Sequence, residues 1–267
     1  MYRDNRLKGF SEVPNKFNDK SASELVNLLL TNRDEDESDS VYWEAMWEIR
    51  LRMTEEVFKS AQSLCESECS LEQRIGCDVL AHLGGAERPF ASDSYPLVAS
   101  VLRKSSDPDT LTSAISALGW LGDLRGVDLV LPYLGHEDSE VRYWVTQSLT
   151  ALHGDQRSIA GLIRLTADSS VEVRDWATFG LGSLTDVDAP EVRDALVARL
   201  ADDDAIVRGE ALVGLAKRQD ARVIEPLRQA FEDGTHGQGI SDFARDALDE
   251  LRDVENYPQL MKWKTNA

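Results

Sequence analysis

The twelve residues Val141-Arg142-Tyr143-Trp144-Val145-Thr146-Gln147-Ser148-Leu149-Thr150-Ala151-Leu152 align without a gap on Val173-Arg174-Asp175-Trp176-Ala177-Thr178-Phe179-Gly180-Leu181-Gly182-Ser183-Leu184, 32 residues downstream. A third copy opens at Val207-Arg208 and carries Ala211, Gly214 and Leu215. Thr110 leads another, with Ala114, Ala117, Leu118, Leu121 and Gly122, and Ile240 leads one with Ala244, Ala247, Leu248 and Leu251. A looser copy opens at Glu72 and keeps Gly76, Val79, Leu80, Leu83 and Gly84. Self-similarity at a period of about 20–50 residues marks an array of identical supersecondary units.

Nearly every copy places apolar or small residues at offsets 0, 4, 7, 8 and usually 11 from its opening residue, which is one stripe of a 3.6-residue helix. Small residues at offsets 4 and 7 let a neighbouring helix approach closely, while leucine at offset 8 fills the space between helices. Second helical stripes lie between the copies: Ile159-Leu162-Ile163-Leu165, Val192-Leu196-Leu200 and Val223-Ile224-Leu227-Phe231. The units are therefore helix pairs joined by short polar turns such as Gly154-Asp155 and Asp202-Asp203-Asp204. The intervals between openings are 38, 31, 32, 34 and 33 residues, the long one holding an insertion at Gly84-Gly85-Ala86-Glu87-Arg88-Pro89. A degenerate earlier copy spans Tyr42 to Met53, with Ala45, Met46 and Ile49 on its stripe. Three stretches follow. Residues 1–37 form an arm or cap ending in the acidic loop Asp34-Glu35-Asp36-Glu37, residues 38–255 hold about six to seven helix pairs, and residues 256–267 form a capping segment around Tyr257-Pro258-Gln259-Leu260-Met261-Lys262-Trp263.

The pattern resembles the HEAT-repeat family, particularly its short bacterial type found in phycobilin lyases, over roughly residues 38 to 255. The resemblance rests on the Val-Arg-x-x-Ala-type opening, the Ala/Gly–Leu offsets and an aspartate five residues ahead of the opening, Asp168 and Asp202 here. It implies an all-α fold, an α-α superhelix or right-handed solenoid of HEAT-like helix pairs. It also implies a ladder of aspartates and arginines between neighbouring repeats. Asp168 with Arg174 and Asp202 with Arg208 match both ladder positions, and Arg142 matches the arginine position in a unit that has His136 at the aspartate site. The unit opening at Thr110 lacks both, with Ser105 and Leu111 there.

Net charge is −19. Nucleic acid is a poor partner for such a chain, because phosphate binding needs Lys/Arg stripes, and an anionic membrane surface is no better. A basic protein is the partner its field attracts, although the same charge also serves solubility. The start of the chain, Met1 to Ser11, carries no signal-peptide apolar stretch, and no run reaches the roughly 18 apolar residues of a membrane span. Cys65, Cys69 and Cys77 are an odd number and imply no disulfide framework, so a cytoplasmic location is expected. With His82 they match no standard zinc spacing, and neither metal nor cofactor is expected.

Trp144 and Trp176 share offset 3 in adjacent copies, with Tyr143 at offset 2 and Phe179 at offset 6. These offsets lie roughly 80–140° or more from the core stripe, so the rings flank or leave the packed face. By resemblance, the helix opening with Val-Arg lines the concave surface of the solenoid. The expected partner-binding set is Tyr143, Trp144, Gln147, Trp176 and Phe179, aromatic at the centre, with Glu210, Asp242, Phe243 and Asp246 making it acidic toward the C-terminal copies. Tryptophan at offset 3 also suits packing between neighbouring helices.

Three enzymatic relatives share this scaffold by resemblance. Deoxyhypusine hydroxylases hold iron with several His-Glu pairs, and only His136-Glu137 occurs here; alkylpurine DNA glycosylases use a basic groove. Phycobilin lyases work as one chain of a two-chain complex. No nucleophile elbow, glycine-rich phosphate loop or His-Glu-x-x-His helix occurs. The expectation is thus a non-enzymatic scaffold or inhibitor that grips a basic protein partner, in the manner of an immunity protein. The alternative is a subunit of a phycobilin-lyase-like, chromophore-handling complex.

Overall fold

The computed structural model describes residues 16–32, 41–52, 54–84, 87–232, 238–252 and 254–264, with the backbone alone at 238–241, 262 and 264. The expected acidic loop at 34–37 and most of the expected arm lie outside the described residues. Every regular element among the described residues is helical. The chain forms two compact units, residues 1–121 and 122–267.

In the first unit, α1 (Ala22–Thr31) starts at a capping box. The Ser21 hydroxyl accepts from the Glu24 amide while the Glu24 carboxylate accepts from the Ser21 amide, satisfying two of the four donors that a helix start leaves open. Then follow α2 (Val41–Leu51), α3 (Glu55–Cys65), α4 (Ser70–His82), α5 (Ala91–Lys104) and α6 (Pro108–Leu121). Helix α1 packs on α2, α3 on α4 and α5 on α6, and α4 lies against α6. Ile75 and Val79 of α4 and Ala114, Ile115 and Leu118 of α6 are fully buried.

The second unit holds α7 (Val127–Val130), α8 (Ser139–Ala151), α9 (Gln156–Leu165), α10 (Val171–Phe179), α11 (Pro190–Arg199), α12 (Ala205–Lys217), α13 (Ile224–Glu232), α14 (Gln238–Glu250) and α15 (Met261–Lys264). Helix α10 runs on into a π-type turn, Gly180–Leu184. Helices α8, α10, α12 and α14 stack in that order, and α9, α11 and α13 pack behind α8, α12 and α14. In both units the first helix of each pair begins two residues ahead of the copy's opening residue: at 70, 108, 139, 171, 205 and 238. Val141, Val145 and Leu149, Val173, Ala177 and Leu181, and Val207, Ala211 and Leu215 are buried to 0% exposure, so the stripe read from the sequence is the buried one. At the end of the chain Leu260 is buried, and the Trp263 ring stacks on Phe231 at 4.7 Å between centroids.

Backbone approaches backbone most closely where the π-type turn meets α12. A Cβ on Gly214 would stand 2.7 Å from the Gly182 Cα, and one on Gly182 would stand 3.2 Å from the Gly214 Cα. Backbones this close leave the carbonyls at the end of the turn without water. The Arg218 guanidinium, only 7% exposed, donates to the carbonyls of Leu181, Gly182, Thr185, Val187 and Gly214. A cation among helix-end carbonyls offsets its own desolvation and theirs. Burial still pulls this guanidinium below its ordinary pKa. Next to it, Gln219 takes a left-handed conformation (φ 54°). Its side-chain amide donates to the Glu250 carbonyl and accepts from the Arg252 amide, tying the end of α12 to the end of α14.

Gly214→Val puts carbon where the Gly182 backbone stands, so it should cost about 1–3 kcal/mol of unfolding free energy in denaturant titrations. Gly135→Ala, whose added carbon meets only the Arg164 side chain at 3.3 Å, should be near neutral.

Candidate partner-binding surface

The turns that precede α8, α10 and α12 are built from the same parts. Arg142 donates through Nε and Nη2 to both oxygens of Asp168 (2.8 and 2.9 Å), and its Nη1 donates to the carbonyls of His136 and Glu137. Arg174 repeats this one helix on, with Asp202 (2.9 and 3.0 Å) and the carbonyls of Asp168 and Ser169. Arg208 takes the carbonyls of Asp202 and Asp203; the position due to receive it next falls within 233–237, outside the described residues. Each arginine thus clamps the turn ahead of its own helix, and Arg142 and Arg174 also reach the aspartate of the next turn. The aspartate in turn closes its own turn, Asp168 accepting from the Ser170 amide and Asp202 from the Asp204 amide. His136, at the aspartate site of the first of these turns, performs the same closure with a ring nitrogen, Nδ1 accepting from the Asp138 amide at 3.1 Å. That explains how a histidine stands there.

Both ion pairs are nearly out of water, with side-chain exposures of 11% and 9% for Arg142–Asp168 and 14% and 3% for Arg174–Asp202. Burial pushes each carboxyl up, but the facing guanidinium and the turn amide outweigh it, and both stay below the usual carboxylate range.

A second set of rungs, not anticipated from the sequence, lies at the starts of the second helices. Asp123-Leu124-Arg125, Asp155-Gln156-Arg157 and Asp220-Ala221-Arg222 each form an aspartate-capped turn in which the arginine folds back on the aspartate. Arg157 also reaches Asp128, and Arg222 reaches Asp194 at 2.6 Å, in the preceding pair. The thrice-repeated Asp-x-Arg was the available signal.

The rungs fix how neighbouring helices meet on the face that carries the aromatics. Tyr143 and Trp144 of α8 and Trp176 and Phe179 of α10 are all half-buried. Their rings form one chain of edge-to-face contacts, Trp144–Tyr143 at 5.3 Å, Tyr143–Trp176 at 6.0 Å and Trp176–Phe179 at 5.6 Å. Trp144 Nε1 donates to the Glu140 carboxylate at 3.1 Å. Gln147 is half-buried on the same helix, and its amide nitrogen is enclosed with no partner among the described residues. The residue at offset 3 of one helix covers the residue at offset 2 of the helix before it, as Trp176 covers Tyr143. Phe243 of α14 likewise lies over Gly209 of α12, where any side chain would overlap the ring.

The same rule disposes of Glu210. It occupies offset 3 of α12 and is buried at 2% exposure instead of standing on the surface. Asp242 and Asp246 are exposed, and Asp242 lies 4.0 Å from Arg245. Of the cysteines, Cys65 and Cys77 are buried and Cys69 is exposed. Among the described residues no group of His, Cys, Asp or Glu is placed to hold a metal ion, and no helix is long and apolar enough to cross a membrane.

Helix pairs stacked in this register define a helical-repeat protein. The family model for HEAT repeats matches residues 95–182 and 159–245, more than half of the chain, and the chain belongs to that family. Protein YibA of Escherichia coli is 34% identical over 106 residues, 40% of this chain and 36% of YibA, so the aligned segment spans about a third of that relative's length. The X-ray structure of Escherichia coli YibA superposes with a TM-score of 0.70 at 21% identity, covering 93% of this chain and 88% of that one. A chain from the structure of Kap95p with RanGDP superposes at 0.65 and 14% identity, over 99% of this chain and 40% of that one. Both superpositions speak to the fold. HEAT repeats suggest a protein-interaction scaffold.

Asp168 and Asp202 hold folded-state pKa values below their unfolded ones, so their stabilisation is full above pH of about 4 and is lost as pH falls through the lowered values. Urea titrations from pH 7 to pH 3 should therefore show stability dropping below about pH 4. Asp168→Asn/Asp202→Asn should flatten part of that drop and lower stability at pH 7 by roughly 3 kcal/mol or more, as expected for breaking buried pairs.

Proposed function

We propose that this protein is a binding scaffold that holds a protein partner on the face formed by α8 and α10, with Tyr143, Trp144, Trp176 and Phe179 as anchors. The observation that carries this reading is the continuous chain of four half-buried rings spanning two repeats. Rings held edge to face are rigid, and they add roughly 0.5–1.5 kcal/mol per pair to the contact between helices. A partner that lands on them orders few new side chains, which is why aromatic anchors dominate interface energies. Gln147 lies on the same helix with its amide nitrogen enclosed, so its contribution to this face is contact rather than a free donor. Phe243, Asp242 and Asp246 carry the face onto α14 at the equivalent offsets, while the buried Glu210 is left out.

The partner in this reading is basic. With a net charge of −19 the chain accelerates encounter with a cationic surface, and the rings then hold what the field delivers. An inhibitor of a basic protein, immunity-protein-like, is one form of this role. No reacting group is needed for it, and the reading is of a non-enzymatic, cytoplasmic protein.

Affinity capture from lysate of the source cells, at low and at high salt, tests the proposal. Wild type should retain one basic protein, with capture weakening as salt rises. Trp144→Ala/Trp176→Ala should raise the dissociation constant by at least about thirtyfold, the loss of roughly 2 kcal/mol expected of hot-spot aromatics, while circular dichroism stays helical. Equal retention by wild type and variant would contradict the proposal. A visible chromophore carried through purification would support the lyase-like reading in its place.

A further inference from the structure

In the first unit a second surface stands out because its charge is opposite to that of the chain. Arg50 of α2 lies with its guanidinium 5.5 Å from the Trp47 ring centroid. Arg88, in the turn ahead of α5, places its guanidinium 6.0 Å from the Trp120 ring centroid and donates to the Trp120 carbonyl at the end of α6. The His82 ring, at the end of α4, lies 5.1 Å from that of Trp120. Trp120 is 44% exposed, among the most exposed large apolar side chains described.

Two neighbouring arginines of the unit are neutralised locally, Arg52 by Glu48 at 2.7 Å and Arg74 by Asp109 at 2.9 Å, while Arg103 stands exposed at the end of α5. Arg50 and Arg88 have no carboxylate ion partner among the described residues, on a chain with 48 Asp and Glu to 29 Lys and Arg. They also share one field. Burial first and the Arg50 charge second pull Arg88 below its ordinary pKa; burial pulls His82 down too, Asp78 opposing, with Arg50 and Arg88 adding to the depression. Asp78 already accepts the Tyr42 hydroxyl at 2.8 Å. Two like charges that act on one another beside tryptophan rings are disfavoured in the free protein, and an anion set against them relieves the repulsion.

We propose that the face formed by Trp47, Arg50, His82, Arg88 and Trp120 binds an acidic segment of a protein partner, carboxylates against the two guanidiniums and an apolar side chain on Trp120. Arginine and tryptophan are the residues that most often anchor protein interfaces, and guanidiniums match carboxylates in geometry. Two unpaired arginines are too few for a nucleic-acid backbone, which needs a stripe of cations and would meet a chain of charge −19. This surface belongs to the first unit and does not depend on the aromatic face of α8 and α10.

The test uses the full chain and a short fluorescein-labelled peptide alternating Asp or Glu with Leu or Phe, read by fluorescence anisotropy at low salt. The same peptide with Asn and Gln in place of the acids, inorganic phosphate and a single-stranded RNA serve as comparisons. The acidic peptide should bind saturably, its amide counterpart at least about tenfold more weakly, and both Arg50→Gln/Arg88→Gln and Trp120→Ala should weaken the acidic peptide by a similar factor. Should the double variant lose its helicity, Arg50→Gln alone carries the test, since that side chain donates to no backbone carbonyl among the described residues. Absence of saturable binding, equal binding of the amide peptide, or unchanged affinity in the variants would overturn the proposal. So would full displacement by an equimolar concentration of phosphate, which makes the surface a small-anion site, or tighter binding of the RNA.

Discussion

Everything in this protein depends on one helix pair being unable to bury its own apolar stripe. Val141, Val145 and Leu149 are fully enclosed in a stack where α10 lies against α8 in addition to α9, and Val173, Ala177 and Leu181 where α12 lies against α10. In a repeat array stability lives in such nearest-neighbour interfaces, so the register between pairs must be fixed. Two devices fix it in the second unit. Glycine against glycine, at Gly182 and Gly214, sets the distance of approach, and the Arg142–Asp168 and Arg174–Asp202 pairs set the alignment at the other end of the helices. Hydrophobic contact is indifferent to small slips along an axis, whereas a bidentate ion pair is not.

The aromatic face is a consequence of that register. With the pairs locked, offset 3 of each helix lies over offset 2 of the one before, and whichever residues occupy those offsets meet. At α8 and α10 they are Tyr143 and Trp176, which extend into a four-ring chain; at α12 and α14 they are Gly209 and Phe243. In the proposed function the interface that stabilises the stack also supplies the rings for binding, so a substitution there touches both roles.

Much of the fold was legible because its period is written directly in the residues. The gapless alignment of 141–152 on 173–184 fixed the helix phase, and all six copies open two residues inside a helix. What the sequence did not disclose were facts about the crossing between helices. Glu210 reads as a surface acid by offset alone, and only the overlap of neighbouring helices buries it. His136 reads as a departure from the ladder, yet a ring nitrogen can accept the same turn amide as a carboxylate oxygen. Arg218 has no repeating counterpart at all. Its place follows from the close glycine contact, which strands carbonyls for it to satisfy. The second set of rungs was visible as Asp-x-Arg, but its reach to Asp128 and Asp194 is a property of the stack.

The central claim is that a protein partner lands on the face of α8 and α10. It is tested most directly by placing a photo-crosslinking amino acid at Glu140, exposed beside Trp144, and in parallel at Ala160, exposed on α9 behind it. Illumination in source cells followed by mass spectrometry reads the result. The account predicts one discrete protein adduct from position 140 and none of that mass from position 160. The same adducts from both positions, or adducts from 160 alone, would contradict it.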